Sequence, residues 1–339
     1  MVTDVNNPNQ QLPEQTHETY TDSKKTTGES YDGMRNTAYL YGISVVFMWA
    51  TVASVFKLTL RHLDILSMVS ISSAVSAVIL LLGIKLQGKT GMIREYGRND
   101  IIHAAILGFL NPFAYYVILL TAYSLLPAQQ AQPLNQTWTI ILPILSIYIL
   151  RQKIGWKNIV ALIVSFLGIV IIATKGDIAG FGNTNPLGIA LAIGSAGIWA
   201  VFWVLNVRDS HDDSVKLFMC FSFGAAFSAA ALAIVTFANG FGFSPPKITG
   251  IAGAVYIGIF EMGAAFLLWL HALRISKNTA VMSSLVYVVP FISLVFINYF
   301  VGEPILVSTV AGLVLIVAGI ILQHVVTYRK TGNASYPAD

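Results

Sequence analysis

The chain has 339 residues, of which 55% are hydrophobic and only 11% are charged, with a net charge of +4. A soluble domain typically carries about 25% charged residues, and a mean hydropathy of +0.70 would leave a soluble fold with much apolar surface facing water. The composition therefore excludes a soluble enzyme, a disordered chain and a fibrous protein, and it predicts a polytopic membrane protein.

The hydropathy pattern divides the chain into two polar tails and a long apolar body. Residues 1–36 are polar and are predicted to form a disordered tail, and residues 329–339 form a second polar tail. Backbone polar groups cannot stay unpaired in hydrocarbon, so apolar stretches of about 20 residues must be helical. Ten transmembrane helices are predicted, at about 38–57, 65–86, 100–123, 127–149, 156–174, 186–206, 214–238, 248–271, 278–300 and 304–327.

The positions of lysine and arginine predict the orientation of these helices. Only four of the 20 basic residues, Lys57, Arg61, Lys175 and Lys247, fall on the side opposite to the amino terminus. Cytoplasmic loops carry the excess of basic residues in membrane proteins. The protein is therefore predicted to be a multi-pass protein of the cell membrane with both termini in the cytoplasm.

The two halves of the body repeat at an offset of about 150 residues. Trp49-Ala50 corresponds to Trp199-Ala200, Gly108 to Gly258 and Ala122 to Ala272; one residue further on in register, Ala161 and Gly168 correspond to Gly312 and Gly319. Because each unit has five spans, an odd number, the two copies must insert in opposite directions. The predicted fold is an all-α integral membrane protein with ten transmembrane helices in two inverted five-helix repeats, residues 37–175 and 186–328. Inverted repeats are characteristic of transporters.

Several stretches carry a resemblance to a known family. The ending GEPILVSTVAGLVLIVAGIIL has a looser copy, GWKNIVALIVSFLGIVII, after the fourth span. The two halves resemble the EamA-type family of the drug/metabolite transporter superfamily. Three further stretches are most similar to its aromatic amino acid exporter branch: QAQPLNQTWTIILPIL, NPLGIALAIGSAGIWAVFWV and MGAAFLLWLHAL. The chain departs from the family pattern after the fourth span, where Arg151-Gln152-Lys153 replaces the Gly-Glu pair that Gly302-Glu303 keeps.

One motif has the form of a nucleotide-binding loop. Residues 83–90, GIKLQGKT, satisfy the P-loop pattern, but a P-loop needs a preceding strand and a following helix. Here Gly83 closes an apolar helix, so we interpret Lys85 and Lys89 as topology signals in a cytoplasmic loop. No cofactor, catalytic group or metal site is predicted; the acidic cluster Asp209–Asp213 is interpreted as solvated, with a Mg²⁺ site as the alternative.

Glu261 is the strongest candidate for a functional side chain. It is the only acid placed inside a span, 13 residues from the start of the eighth helix at residue 248, or about 20 Å along it. Its repeat equivalent is Asn111, followed by Pro112. A carboxylate near the bilayer midplane normally serves function, either by binding a substrate amine or by carrying a proton. The alternative is a protonated Glu261 that only bonds a neighbouring helix.

The fourth span carries a cluster of amides. Gln129, Gln132 and Gln136 share one helical face, and amides facing lipid would be very unfavourable. They are predicted to form an outer polar vestibule, whose inverted partner contains Tyr287 at the start of the ninth span. The alternative is a helix that starts near Asn135, with the glutamines in an outer loop.

Aromatic and small residues complete the candidate site. Substrate-contacting walls are predicted from Tyr115, Trp138, Trp199 and Trp203, with helix packing or interfacial anchoring as the alternative. Small residues four apart, such as Gly250, Ala254 and Gly258, predict close helix packing.

The predicted function is secondary transport of a small organic metabolite through a central cavity between the repeats. The resemblance implies export of amino acids or related compounds. Uptake of a small metabolite, or a receptor or scaffold with the same fold, are the alternatives. The partners expected are a small-molecule substrate and membrane lipids, with no nucleic acid, and the chain is expected to be a monomer because both repeats lie in it.

Overall fold

A computed structural model describes residues 16–150, 156–177, 185–207, 211–239, 246–276, 282 and 284–332. The regular elements in these ranges are all helical, without a β-strand. This agrees with a chain whose backbone must satisfy its own hydrogen bonds in lipid.

The described residues of the first half contain seven α-helices. They are α1 Thr16–Thr59, α2 Ile65–Leu86, α3 Arg98–Gly108, α4 Tyr115–Leu125, α5 Ala128–Asn135, α6 Trp138–Leu150 and α7 Trp156–Ala173. A 3-10 helix, Thr90–Glu95, precedes α3, and a π-helical turn, Phe109–Ala114, joins α3 to α4.

The described residues of the second half contain six α-helices with defined bounds. They are α8 Pro186–Val207, α9 Asp213–Ala238, α10 Ile248–Ile257, α11 Ala264–Ile275, α12 Val289–Phe296 and α13 Val307–Gly332. A π-helical turn, Gly258–Gly263, joins α10 to α11. The 3-10 turn Leu285–Val288 and the π turn Ile297–Val301 flank α12.

Six of the continuous helical stretches among the described residues are long and apolar enough to cross a membrane. They are Thr37–Thr59, Ile65–Leu86, Arg98–Leu125, Pro186–Asn206, Asp213–Ala238 and Ile248–Ile275. Shorter apolar helices occupy Ile159–Ala173, Leu285–Val301 and Val307–Leu322. The prediction of an all-helical membrane protein is thus confirmed, while the count of ten spans and the inversion of the repeats stay predictions.

The amino-terminal helix extends further than the sequence indicated. It begins at Thr16, so the tail predicted to be disordered up to residue 36 is helical in the structure from Thr16, and its first 15 residues lie outside the described ranges. No proline lies between Pro13 and the first apolar span, so no residue of that type interrupts the helix on its amino-terminal side.

The fourth predicted span is broken rather than continuous. The helix α5 ends at Asn135 and α6 begins at Trp138, with the Thr137 amide donating to Leu134 in a tighter turn. Pro133 has no amide hydrogen to donate, and the hydroxyl groups of Thr137 and Thr139 bond back to the carbonyls of Leu134 and Gln136. These local bonds replace the regular helix ladder and let the chain bend.

Helix packing in the two halves follows the repeat correspondence. A Cβ on Gly168 would lie 2.4 Å from the Gly312 carbonyl oxygen, and one on Gly319 would lie 2.6 Å from that of Ala161. Because Ala161 corresponds to Gly312 and Gly168 to Gly319, each contact is the repeat image of the other. Exchange of contacts in this way is what a two-fold relation between units produces.

The third and eighth spans pack in a similarly reciprocal manner. Gly108 lies against the Cys220 carbonyl on α9, and its repeat equivalent Gly258 lies against the Ser72 carbonyl on α2. The prediction that small residues allow close helix packing is therefore confirmed at these positions. Since Asn111 and Glu261 follow these two glycines by three residues, both side chains are carried on helices held tightly against the opposite half.

Candidate functional site

Glu261 lies in the π-helical turn Gly258–Gly263 of the eighth span. The Tyr116 hydroxyl group donates a hydrogen bond of 3.0 Å to its carboxylate oxygen Oε1, and the Trp49 indole approaches its backbone carbonyl at 3.4 Å. Tyr116 is fully buried, and π turns often occur at functional sites. The two partners come from the first and third spans, so the acid is held where the two halves meet.

The aromatic residues predicted as site walls form one connected cluster beside this carboxylate. Tyr115 packs on Tyr116 and on Trp199, each with ring centroids 4.7 Å apart. Trp199 lies within 6.4 Å of Trp138 and 6.0 Å of Trp203. Four of the predicted residues therefore form one cluster, which is joined to Glu261 through Tyr116.

Asn111 also lies on a distorted helix, the π turn Phe109–Ala114. Its backbone is extended (φ −144°, ψ 120°), and its side chain is fully buried. Neither amide atom has a hydrogen-bond partner among the described residues. Asn111 and Glu261 thus occupy equivalent helix distortions, but no hydrogen bond among the described residues joins them.

Buried amide groups in native proteins almost always find a partner. The unpaired amide of Asn111 therefore marks a place for a water molecule or a ligand group. The Trp199 indole nitrogen and the Gln136 amide nitrogen are also buried without partners in the described part of the chain. Three predicted site residues accordingly keep hydrogen-bonding capacity that the protein itself does not use.

Most of the other amide side chains of the fourth span form hydrogen bonds with neighbouring helices. The Tyr123 hydroxyl group donates to Gln132. Gln130 donates to the carbonyls of Ile172 and Ala173 at the end of α7. Asn135 links Tyr115 to Ser195. Gln129, Gln130 and Gln132 lie on the helix α5 and Gln136 caps its end, which differs from the predicted continuous helix and from the alternative of a loop. They are buried or half-buried, as expected for amides kept away from lipid.

The start of the ninth span is described only in part. Tyr287 lies in the 3-10 turn before α12 and packs, half-buried, against the main hydrophobic core. Residues 277–281 and 283, which include Thr279 and Ser283 of the predicted inner vestibule, lie outside the described ranges.

Sequence reasoning missed a polar junction between the first, third, fourth and ninth spans. The Lys57 ammonium group donates two bonds of 2.6 Å, to the carbonyls of Tyr123 and Leu126 at the end of α4. The Glu303 carboxylate accepts from the amides of Ala128 and Gln129 at the start of α5, at 2.9 and 3.1 Å. A cation thus caps one helix end and an anion the next, in the sense favoured by the helix dipole. The Gly302-Glu303 pair, which keeps the family pattern, was the sequence signal that could have indicated this junction.

At the other end of the molecule, loop charges form an ion-pair network. The Lys89 ammonium lies 2.8 Å from Oδ2 of Asp212, and the Arg274 guanidinium lies 3.5 Å from the same oxygen. Partial burial alone would raise the pKa of the Asp212 carboxyl. The hydrogen bonds from Lys89 and the Ser214 amide, with the charges of Lys89 and Arg274, outweigh burial and hold that pKa below its ordinary value.

This network corrects two expectations about the loops. Asp212 is not solvated, because its side chain is only 11% exposed, and Lys89 holds a partner rather than acting only as a topology signal. The P-loop interpretation is excluded by structure: GIKLQGKT begins inside α2, where no strand precedes it. Asp209, Arg151 and Lys153 lie outside the described ranges.

Comparison with known proteins identifies the family. The model of the EamA-like transporter family matches the chain twice, over residues 36–174 and 186–323. The chain belongs to this family. The transporter therefore contains two copies of the family unit, and its function is membrane transport rather than catalysis.

Relatives of the transporter carry the same general description. An uncharacterized transporter of Clostridium kluyveri is 29% identical over 230 residues, which cover 67% of this chain and 73% of the relative. An uncharacterized transporter of Archaeoglobus fulgidus is 23% identical over 291 residues, covering 85% and 98%. A solved crystal structure with 18% identity has a TM-score of 0.61 and covers 87% of this chain and 99% of its own. That likeness shows the fold alone.

Proposed function

We propose that the protein is a secondary transporter that exports small organic metabolites, such as amino acids, across the cytoplasmic membrane. Both termini would lie in the cytoplasm, and the substrate would pass between two inverted repeats. Substrate class and direction follow from the resemblance to aromatic amino acid exporters, and the side chains around Glu261 support the substrate class.

The observation that carries this proposal is the partly satisfied carboxyl group of Glu261. One oxygen accepts from Tyr116, and Tyr115, Trp199 and Trp203 form an aromatic wall beside it. An ionisable group inside a membrane span is costly and normally serves binding or coupling. A carboxyl group next to aromatic faces suits a substrate with an amine and an apolar body, because both the acid and the rings attract cations.

Transport is tested by flux into sealed proteoliposomes that contain the purified full chain. Radiolabelled phenylalanine, tyrosine, choline and glucose distinguish an amino acid transporter from other permeases. We expect flux of an amino acid, with the pH dependence of a titrating group if a proton is coupled. Glu261→Gln keeps the size and the bond from Tyr116 but removes titration, so flux should fall at least about tenfold.

A matched control is Glu95→Gln, which neutralises an exposed acid in the loop before α3 and should transport as the unaltered protein does. Normal flux through Glu261→Gln across about pH 5–8 would make the carboxyl group structural. Saturable binding without flux of any solute would favour a receptor. Counterflow from vesicles of defined sidedness measures the direction.

A further inference from the structure

A pocket opens at the junction that holds Lys57 and Glu303. It has a volume of about 570 Å³ and is built from four chain segments of both halves. None of the nine residues predicted for the substrate site lines it. Its position corresponds to the predicted outer face, because Lys57 and Lys175 are two of the four basic residues assigned to that side.

The charged groups of this pocket leave an excess of positive charge. Lys57 and Lys175 both line it, and Glu303 is the acid among the lining residues. Each oxygen of Glu303 already accepts a backbone amide of α5, and the described residues contain no ion pair between Glu303 and either lysine. The acid therefore compensates a helix end and also attracts Lys57 electrostatically, so its negative charge offsets one of the two lysine charges and leaves one positive charge for an occupant.

Lys57 is prearranged to bind a further acceptor. A lysine ammonium has three donors, and two of those of Lys57 bond the carbonyls of Tyr123 and Leu126. These bonds fix the ammonium at the wall of the pocket and leave one donor for a ligand. Fixing the donor in advance lowers the entropic cost of binding.

The remaining walls are mainly apolar. They include Leu125, Leu126, Pro127, Pro304 and Leu306. A pocket of this size with apolar walls and a few convergent polar groups suits a small organic molecule. Two lysines and one carboxylate sum to a single positive charge, which one monoanionic group neutralises and a dianionic phosphate would overcompensate.

We infer that this pocket is a second binding site, which takes the carboxylate of a small organic acid between Lys57 and Lys175 and its apolar body against the leucines and prolines. Binding stands independently of the flux proposal, and only its role as an outer station on the transport path rests on the proposed function.

Packed side chains on one face of α4 lie between the pocket and Glu261. Tyr123, whose carbonyl binds Lys57, packs its ring on Phe56 at 5.4 Å, and Phe56 also contacts Tyr116 at 6.2 Å. Tyr116 and Tyr123 are two helical turns apart, about 10.5 Å. The packed rings of Tyr116, Phe56 and Tyr123 therefore form a continuous contact from the partner of Glu261 to the backbone that binds Lys57.

Equilibrium binding to the full chain in lipid nanodiscs tests the site. Tritiated 3-phenylpropionate supplies the carboxylate and an apolar body, and phenethylamine and phenyl phosphate are the competitors. We expect saturable binding of 3-phenylpropionate, weak competition by phenyl phosphate and none by phenethylamine. Lys175→Gln should weaken binding about fivefold, as for a partly solvated charge, and Lys57→Met about tenfold or more.

Lys247→Gln is the matched control, because Lys247 is an exposed lysine before α10 that lies outside the pocket; its binding should equal that of the unaltered protein. If Lys57→Met does not fold, Lys175→Gln carries the test. The inference is overturned by an absence of saturable binding in the millimolar range, by equal competition from phenethylamine or phenyl phosphate, or by unchanged binding to Lys175→Gln. A failure of flux with binding intact would overturn only the proposed function.

Discussion

Equivalent positions of the two repeats carry side chains with different hydrogen-bonding states. Glu261 has a partner from the other half in Tyr116, whereas both amide atoms of Asn111 are unpaired among the described residues. An unpaired buried amide destabilises the folded state by about 1–3 kcal/mol unless water or a ligand satisfies it. Its removal should therefore affect ligand binding more than folding.

We expect Asn111→Ala to raise KM for the transported solute roughly twofold to tenfold, the equivalent of a lost neutral hydrogen bond, and to leave the melting temperature unchanged or slightly higher. Flux and thermal unfolding in detergent measure the two effects. Asn135→Ala is the matched control: it removes the amide that links Tyr115 to Ser195 and should lower the melting temperature. A large loss of stability in Asn111→Ala alone would assign Asn111 to structure.

A second residue-scale effect concerns Asp212, which accepts from the Ser214 amide at the start of α9 and binds Lys89. Because the pKa of Asp212 is lower in the folded protein than in the unfolded chain, its ionised carboxylate stabilises the fold at pH values above the pKa of the unfolded chain. That contribution is lost as the pH falls through the lower folded value.

Asp212→Asn should accordingly lower the melting temperature at neutral pH, and its difference from the unaltered protein should shrink as the pH is reduced below about 4. Thermal unfolding over a pH series measures this difference. Lys89→Ala should also lower the melting temperature at neutral pH. Because the chain has no P-loop here, we expect no ATP hydrolysis by the unaltered protein or by this variant. A difference that grows in acid would contradict the assigned role of Asp212.

At the scale of elements, close contacts between α7 and α13 join the ends of the two halves. In membranes, small residues allow backbones to approach and gain dispersion contacts, because no hydrophobic effect drives helices together. The closest approach to a backbone atom is at Gly168: an added Cβ would lie 2.4 Å from the backbone oxygen of Gly312, which cannot move aside as a flexible side chain can.

Gly168→Ala should therefore lower the melting temperature of the purified protein, by an amount equivalent to about 1–3 kcal/mol for overpacking. Gly194→Ala is the control, because a Cβ there would meet nothing within 4 Å although the residue is also in a helix. Fluorescence-monitored unfolding compares the two variants. Equal behaviour would show that α7 and α13 can separate without cost.

At the scale of the whole molecule, charged loops gather at two opposite ends. Lys89, Asp212 and Arg274 meet at one end, and Lys57, Lys175 and Glu303 line the pocket at the other. The residues assigned to one side by the distribution of basic residues are thus brought together in space. Which end faces the cytoplasm remains the prediction of that distribution.

Cysteine labelling in intact cells tests the orientation. The single native cysteine, Cys220, is only 1% exposed in α9, so it gives little background. A cysteine at His62, an exposed residue between α1 and α2, should react with a membrane-impermeant maleimide. One at Gly91, exposed between α2 and α3, should react only after permeabilisation. The reverse pattern would invert the proposed topology.

The sequence by itself determined the class of protein, the approximate helix positions and the candidate acid Glu261. These features are local, because the bilayer sets the length and hydrophobicity of each helix separately and penalises a single buried charge. The correspondence of Asn111 and Glu261 could also be predicted from the sequence, since the repeat offset placed them at equivalent positions.

The tertiary structure decided which groups these residues meet. Tyr116 and Glu261 are 145 residues apart in the chain, and the Glu303 carboxylate caps a helix 175 residues away. The same applies to Lys89 and Asp212, which were assigned to solvent and form an ion pair. Hydrogen bonds of this range depend on how the helices pack against one another, and hydropathy along one chain carries no information about that packing.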